Sequence, residues 1–137
     1  MKHKVLIVDD DPNIRLVLKG IFSGCEISEA QDGKAGLAMI QSVRPSVVLL
    51  DLKMPVMNGI DALRKMKTLS HRPLVFVLTG NDDVETAVKA LDLGACGYIT
   101  KPFKPADIKR VVFAALAEKE EQNPHPDRFW RVVGKNK

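Results

Sequence analysis

Five times along the chain, a short run of branched apolar residues gives way to a longer stretch whose apolar residues recur at helical spacing. The runs are KVLIVDD (4–10), CEISEA (25–30), SVVLLD (46–51), PLVFVLTG (73–80) and CGYIT (96–100). The stretches are DPNIRLVLKGIF (11–22), DGKAGLAMIQSV (32–43), NGIDALRKMKTL (58–69), DDVETAVKALDLG (82–94) and KPADIKRVVFAALAEKEE (104–121). CEISEA is the thinnest of the five, and five such strands alternating with five helices imply βαβ units and a parallel sheet covered on both faces. Right-handed crossovers then restrict the topology to a doubly wound α/β sandwich. The helix punctuation agrees: Asp11 and Pro12 suit the cap and first turn of the first helix, and Gly94 suits the stop of the fourth. Ile14, Leu18 and Ile21 share one face of the first helix, Leu37 and Ile40 one face of the second, and Ile108, Val111, Val112, Ala115 and Leu116 one face of the last.

With 137 residues, 45% of them hydrophobic, the chain can build one domain with a core but not two. No apolar run approaches the roughly 20 residues of a membrane span. No signal-peptide pattern opens the sequence, so a cytoplasmic location without a membrane partner is expected. Cys25 and Cys96 lie outside any CxxC and read as packed thiols in a reducing compartment. His3, His71 and His125 are too scattered for a zinc site. The net charge is +4, and residues 122–137 carry +3 of it through Arg128, Arg131, Lys135 and Lys137 against Asp127. A nearly neutral body with a basic tail is not a nucleic-acid domain by charge, and direct nucleic-acid binding by this chain is not expected. The polar EEQNPHPD (120–127) reads as a boundary, giving one domain over 1–121 and a basic tail or linker stub over 122–137.

In a doubly wound sheet, ligands sit outside the carboxyl ends of the strands, where the strand order reverses. The first strand delivers Asp9 and Asp10 there, the third Asp51, the fourth Thr79, and the fifth Thr100 followed by Lys101-Pro102. An apolar run such as VVLL ending in a carboxylate needs an explanation, because a buried unpaired charge is costly. Packed carboxylates repel and call for a cation. Mg²⁺ is a hard ion suited to one or two carboxylates plus waters. Mg²⁺, a lysine and a hydroxyl make a clamp for phosphoryl oxygens, and a carboxylate such as Asp51 can serve as nucleophile to form an aspartyl phosphate. Singly, each residue has a plainer role: Asp11 as a helix cap, Lys101 as a solvated charge, Tyr98 as a strand aromatic, and GNDDVE as an acidic helix N-terminus. Only their joint placement at the strand ends goes beyond those roles.

The ordered set VLIVDDDPNIR, VVLLDLKMPVMNG, VLTG and GACGYITKPF closely resembles the receiver domains of bacterial two-component response regulators, over about residues 3 to 121. The resemblance implies a flavodoxin-like (βα)5 fold with a five-stranded parallel sheet in the order 2-1-3-4-5. It implies that Asp51 is the phosphoacceptor, that Asp10 and Asp51 ligate Mg²⁺ (Mn²⁺ able to substitute) with Asp9 assisting through water, and that the Lys53 backbone carbonyl completes the protein ligands. Thr79 and Lys101 would contact the phosphoryl oxygens, Tyr98 matches the aromatic switch position, and the Lys101–Pro102 bond would be cis. The implied donor is a sensor histidine kinase or a histidine phosphotransfer protein. The implied role is a signalling phosphoacceptor that assists only its own phosphorylation and dephosphorylation, rather than an enzyme.

The first helix leaves Leu16 outward beside Asn13 and Lys19, so Leu16 is a candidate contact for the phosphodonor. The face of the fourth helix, fifth strand and fifth helix is the candidate output surface, toward an effector domain or a dimer partner, with Thr79 and Tyr98 as its switch. FWRVVGKNK resembles the segment entering an AAA+ domain in nitrogen-regulatory-type activators, so a stand-alone receiver and the N-terminal part of such an activator are both kept as output arrangements. The alternative is a haloacid-dehalogenase-like phosphatase, because Asp9-Asp10-Asp11 contains a DxD. It places its lysine before its late acidic motif rather than after, wants a threonine where Asn13 stands, and leaves DLKMP unexplained.

Overall fold

The computed structural model describes residues 3–54, 56–80, 83–120 and 131–133. Its elements are β1 (Lys4–Val8), α1 (Pro12–Ile21), β2 (Glu26–Ala30), α2 (Gly33–Val43), β3 (Val47–Asp51), α3 (Gly59–Met66), β4 (Leu74–Gly80), α4 (Val84–Asp92), β5 (Gly97–Lys101), α5 (Pro105–Glu120) and β6 (Arg131–Val133). The sheet order is β2-β1-β3-β4-β5-β6, and every pairing is parallel. The first five strands therefore take the expected order 2-1-3-4-5. β6 is an addition: part of the segment read as a tail pairs with β5, from Gly97 opposite Arg131 to Ile99 opposite Val133. Past Glu120, the expected boundary EEQNPHPD lies outside the described residues.

Strand parity divides the core into two layers. Val5, Ile7, Val47, Leu49, Phe76, Leu78 and Ile99 face one side with Leu18, Phe22, Ile108 and Val112 from α1 and α5. Leu6, Val8, Val48, Leu50, Val75, Val77 and Tyr98 face the other with Ile40, Leu63 and Leu91 from α2, α3 and α4. Every residue of β3 is buried, Asp51 included. Each buried aliphatic side chain contributes about 1.5–3 kcal/mol relative to exposure, so β3 is anchored firmly along its length and its last residue has little freedom to move.

The helix ends follow local chemistry. Asp11 caps α1 by accepting from the Asn13 amide at 2.9 Å, with Pro12 in the first turn. Asn58 caps α3 by accepting from the Asp61 amide at 2.9 Å. α3 closes at Met66 rather than at Leu69, where the Thr68 hydroxyl donates to the Lys65 carbonyl at 2.7 Å and competes with the helical bond. Beyond α4, Gly94 holds φ +110°, a conformation in which glycine carries no Cβ penalty. Val56 carries φ 68° in the β3–α3 loop while 80% exposed. A β-branched residue is a genuine outlier there.

Candidate functional site

The described backbone brings four strand ends together. β1 ends at Val8 and β3 at Asp51, while β4 carries Thr79 as its next-to-last residue and β5 ends at Lys101. Asp9, Asp10, Asp51, Lys53, Thr79 and Lys101 line one open crevice of about 580 Å³. Carboxylate oxygens of Asp9, Asp10 and Asp51 lie within 4.8 Å of one another. Asp9 is fully buried and Asp51 is 5% exposed, whereas Asp10 faces solvent.

The cations and donors around these acids are few. Lys101 Nζ stands 3.5 Å from Asp9 Oδ2 and 3.6 Å from Asp51 Oδ1, bridging the two buried acids. The Lys101–Pro102 peptide is cis. Asp51 Oδ1 accepts from the Lys53 amide at 3.3 Å, while the Lys53 side chain turns away to pair with Asp83 at 3.5 Å. Asp9 Oδ1 accepts from the Asp11 amide at 2.9 Å, whereas the buried Asp9 Oδ2 makes no hydrogen bond among the described residues and has the Lys101 ammonium 3.5 Å away. Burial raises the Asp51 carboxyl to about 6, and the Asp9 charge adds to the rise against the opposing pull of Lys101 and the Lys53 amide. Burial likewise raises Asp9, offset by the Asp11 amide and Lys101. Without a metal the site resists holding all its negative charge. A buried carboxylate oxygen held by an ion pair but by no hydrogen bond, beside two further carboxylates, is a hard, oxygen-only donor set, which fits a hard divalent cation.

The remaining sequence candidates fall in distinct places. Thr79 is buried, lines the crevice and donates to the Gly80 carbonyl at 3.3 Å. It sits opposite Thr100, and Val77 sits opposite Tyr98. Parity thus puts Thr79 and Tyr98 on the same face of the sheet, diagonal neighbours within reach of a long side chain. Tyr98 is 8% exposed and packs in the α2–α3–α4 layer, so its ring is already inward here. Leu16 is 64% exposed, and Val17 beside it on α1 is 47% exposed. Asp11 serves as the cap of α1.

Sequence reasoning missed two residues. Arg15 reaches from α1 to donate to the Asp9 backbone carbonyl at 2.6 Å. Gly59 opens α3 directly against the end of β3, and a Cβ there would lie 2.6 Å from the Asp51 carbonyl oxygen. The Asn-Gly pair after the apolar run was a usable signal for the second. For the first no local signal exists, because the contact depends on how α1 lies over β1.

The fold and these strand ends define a doubly wound α/β domain with an acidic crevice at the carboxyl ends of its strands. The chain matches the response regulator receiver domain over residues 5–113 and belongs to that family. It is 40% identical over 116 residues to the regulatory protein AtoC of Escherichia coli, covering 83% of this chain and 25% of that protein. It is 34% identical over 114 residues to the sporulation initiation phosphotransferase F of Bacillus subtilis, covering 82% of this chain and 92% of that one. A CheY-like receiver domain structure from Methanospirillum hungatei superposes with a TM-score of 0.83 at 34% identity, covering 90% of this chain and all of that one. The chain spans about a quarter to about half the length of the first curated relatives it matches. It is therefore a receiver domain of response regulators. Among the described residues, no helix is long and apolar enough to cross a membrane.

Proposed function

We propose that this receiver takes a phosphoryl group onto Asp51 from a histidine kinase or a histidine phosphotransfer protein, in the cytoplasm. The observation that carries the reading is the meeting of three carboxylates within 4.8 Å, two of them buried, under the Lys101 ammonium. Asp9, Asp10, Asp51 and the Lys53 carbonyl would hold Mg²⁺, or Mn²⁺ in its place. When bound, the ion neutralises phosphoryl oxygens and the crowded carboxylates. Asp51 Oδ attacks the phosphorus of the donor's phosphohistidine. A P–O bond forms, the P–N bond breaks, and the imidazole leaves with the electron pair. Lys101 and the Thr79 hydroxyl hold the equatorial oxygens as charge spreads over them. The chain then acts as a signalling phosphoacceptor, turning over nothing but its own phosphate. The receiver unit runs to about residue 121, with 122–137 as its tail and 131–133 laid on β5. The same unit makes up nearly all of one relative and a quarter of another, so it suits both a stand-alone receiver and a part of a longer AAA+ activator.

One labelling assay tests both acceptor and docking. Acetyl phosphate or a cognate kinase, with Mg²⁺, is expected to add one phosphoryl group by mass, and Asp51→Asn to add none. Equal labelling of the variant would sink the assignment. The exposed Leu16 and Val17 support docking on α1, so Leu16→Asp is expected to slow transfer from the kinase while leaving acetyl phosphate labelling unchanged. Equal slowing of both would place the damage in the site rather than the docking surface.

The output face is that of α4, β5 and α5, and it switches through Thr79 and Tyr98. A phosphoryl group draws the Thr79 hydroxyl toward Asp51, and the space it leaves beside β5 further favours the inward Tyr98 packing that the ring already takes here, a population shift rather than a new position. With beryllofluoride standing for the phosphoryl group, amide NMR shifts are expected to spread from Asp51 to Tyr98 and Val111. In Thr79→Ala they are expected to stay near Asp51, and distant shifts of full size in that variant would remove Thr79 from the route.

A further inference from the structure

The Asp9–Asp10 peptide, just past the end of β1, carries both acids into the crevice, yet it lies outside the sheet ladder. Pairing of β1 with both neighbours stops at Val8, opposite Ala30 and Leu50. The Asp9 amide still donates to the Ala30 carbonyl at 3.1 Å. Its carbonyl turns instead to Arg15 Nη1 at 2.6 Å, the short length of a charge-assisted bond. The guanidinium is itself held in place: Arg15 Nε donates to Glu29 Oε1 on β2 at 2.9 Å, and Lys19, one turn further along α1, pairs with Glu29 Oε2 at 2.9 Å. The Arg15 side chain is 18% exposed. A peptide is planar, so fixing the Asp9 carbonyl fixes the Asp10 amide and the Asp10 Cα with it, and leaves only rotation about the Asp10 N–Cα bond between that plane and the Asp10 Cβ. Asp10 faces solvent, and its carboxylate has no partner among the described residues that holds it toward Asp9 and Asp51.

We infer that Arg15, braced by Glu29 and Lys19, is a positioning residue that aims the Asp9 and Asp10 carboxylates at the cation site. The inference rests on the metal reading above. It runs against simple charge: a guanidinium beside a cation site repels the cation, so its removal should tighten binding if Coulomb's law alone acted. If Arg15 positions the acids, removal weakens binding instead. The two accounts therefore differ in sign.

The test is calorimetric titration of the full chain with Mg²⁺, for the parent protein, Arg15→Met, Glu29→Gln and Asp10→Ala. Methionine keeps the aliphatic stem over the sheet and removes only the donors. Arg15→Met is expected to weaken Mg²⁺ binding by about tenfold, the low end for residues that orient metal ligands from behind. Glu29→Gln leaves Arg15 charged but loosens its brace, and a smaller weakening in the same direction is expected. In the metal-free chain, the Asp10 amide nitrogen resonance is expected to move in both variants, reporting loss of the bond to the Asp9 carbonyl. If the parent binds Mg²⁺ and Asp10→Ala does not, while Arg15→Met binds as tightly as the parent or more tightly, the positioning role is overturned and the metal reading stands. If the parent itself shows no binding, the metal reading falls and takes the inference with it. Should Arg15→Met fail to fold, Glu29→Gln carries the same test: unchanged affinity with an unmoved Asp10 resonance overturns the role.

Discussion

Replacing Asp51 by asparagine is expected to stabilise the metal-free protein at about pH 7.5 by about 1–3 kcal/mol, taking about 1.4 kcal/mol per pKa unit. Folding removes this carboxylate from water and sets it beside Asp9, which raises it to about 6 from the ordinary value of 3.8. Below about pH 4 the carboxyl is protonated in both the folded and unfolded chains, and the difference disappears. Between about 4 and 6 the unfolded chain releases its proton while the folded one keeps it, so rising pH favours unfolding. Above about 6 the penalty is complete and constant. Asparagine has no charge to strip of water, and its side-chain oxygen can still accept from the Lys53 amide. The change also relieves Asp9, whose carboxyl is raised in the same direction. Urea unfolding of both proteins with a chelator present, at about pH 4 and about pH 7.5, checks the sign. An equal stability difference at the two pH values, or a destabilised variant at the higher one, would contradict the electrostatic account. With Mg²⁺ present, the parent is expected to recover stability by mass action, because the cation binds only the folded site.

Gly59→Ala is expected to destabilise the protein by about 1–3 kcal/mol, as overpacking of a rigid contact does. Local propensity alone points the other way, since alanine is the better helix former by about 1 kcal/mol in a helix interior. The added Cβ would stand 2.6 Å from the Asp51 carbonyl oxygen, 2.6 Å from Leu52 Cα and 2.8 Å from Leu52 Cδ2. Two of these three atoms are backbone and cannot rotate away. The Gly59 amide donates to the Leu52 carbonyl at 3.0 Å, so α3 cannot retreat without breaking that bond. Strain there falls on the residue that carries the candidate nucleophile, and Mg²⁺ binding is expected to weaken together with stability. Gly20→Ala supplies the contrast: it lies within α1, and apart from its chain neighbours and the helix's own backbone no heavy atom of the described residues lies within 4 Å of where a Cβ would stand. It is expected to gain about 0.5–1 kcal/mol from reduced backbone entropy. Chemical denaturation of the two variants side by side decides the matter, and a shift in the same direction for both would show that close approach at Gly59 is not what glycine serves there.

Much of this protein was legible before any coordinates. Periodicity acts within a few residues, so the alternation of VLLD-like runs with helical stretches named the ten expected elements, and the inward faces of α1, α2 and α5 followed from their spacing. Capping is equally local, which is why Asp11 and Gly94 stand where the sequence placed them. The acids could be assigned to strand ends because each follows directly on its own apolar run, and a doubly wound sheet brings such ends to one edge. Distances between elements were another matter. That Lys101 lies between Asp9 and Asp51, that Arg15 meets the Asp9 carbonyl, and that Gly59 clears the Asp51 carbonyl all depend on how helices settle on the sheet. The inward Tyr98 was likewise open to packing, because a strand fixes the face of a side chain but not its rotamer. β6 joins β5 across a long sequence separation, and a run of three residues carries too little pattern to reveal its partner. Local rules wrote the elements and their chemistry into the sequence, whereas the contacts that aim the acids form only when residues far apart in the chain are packed to within a few ångströms.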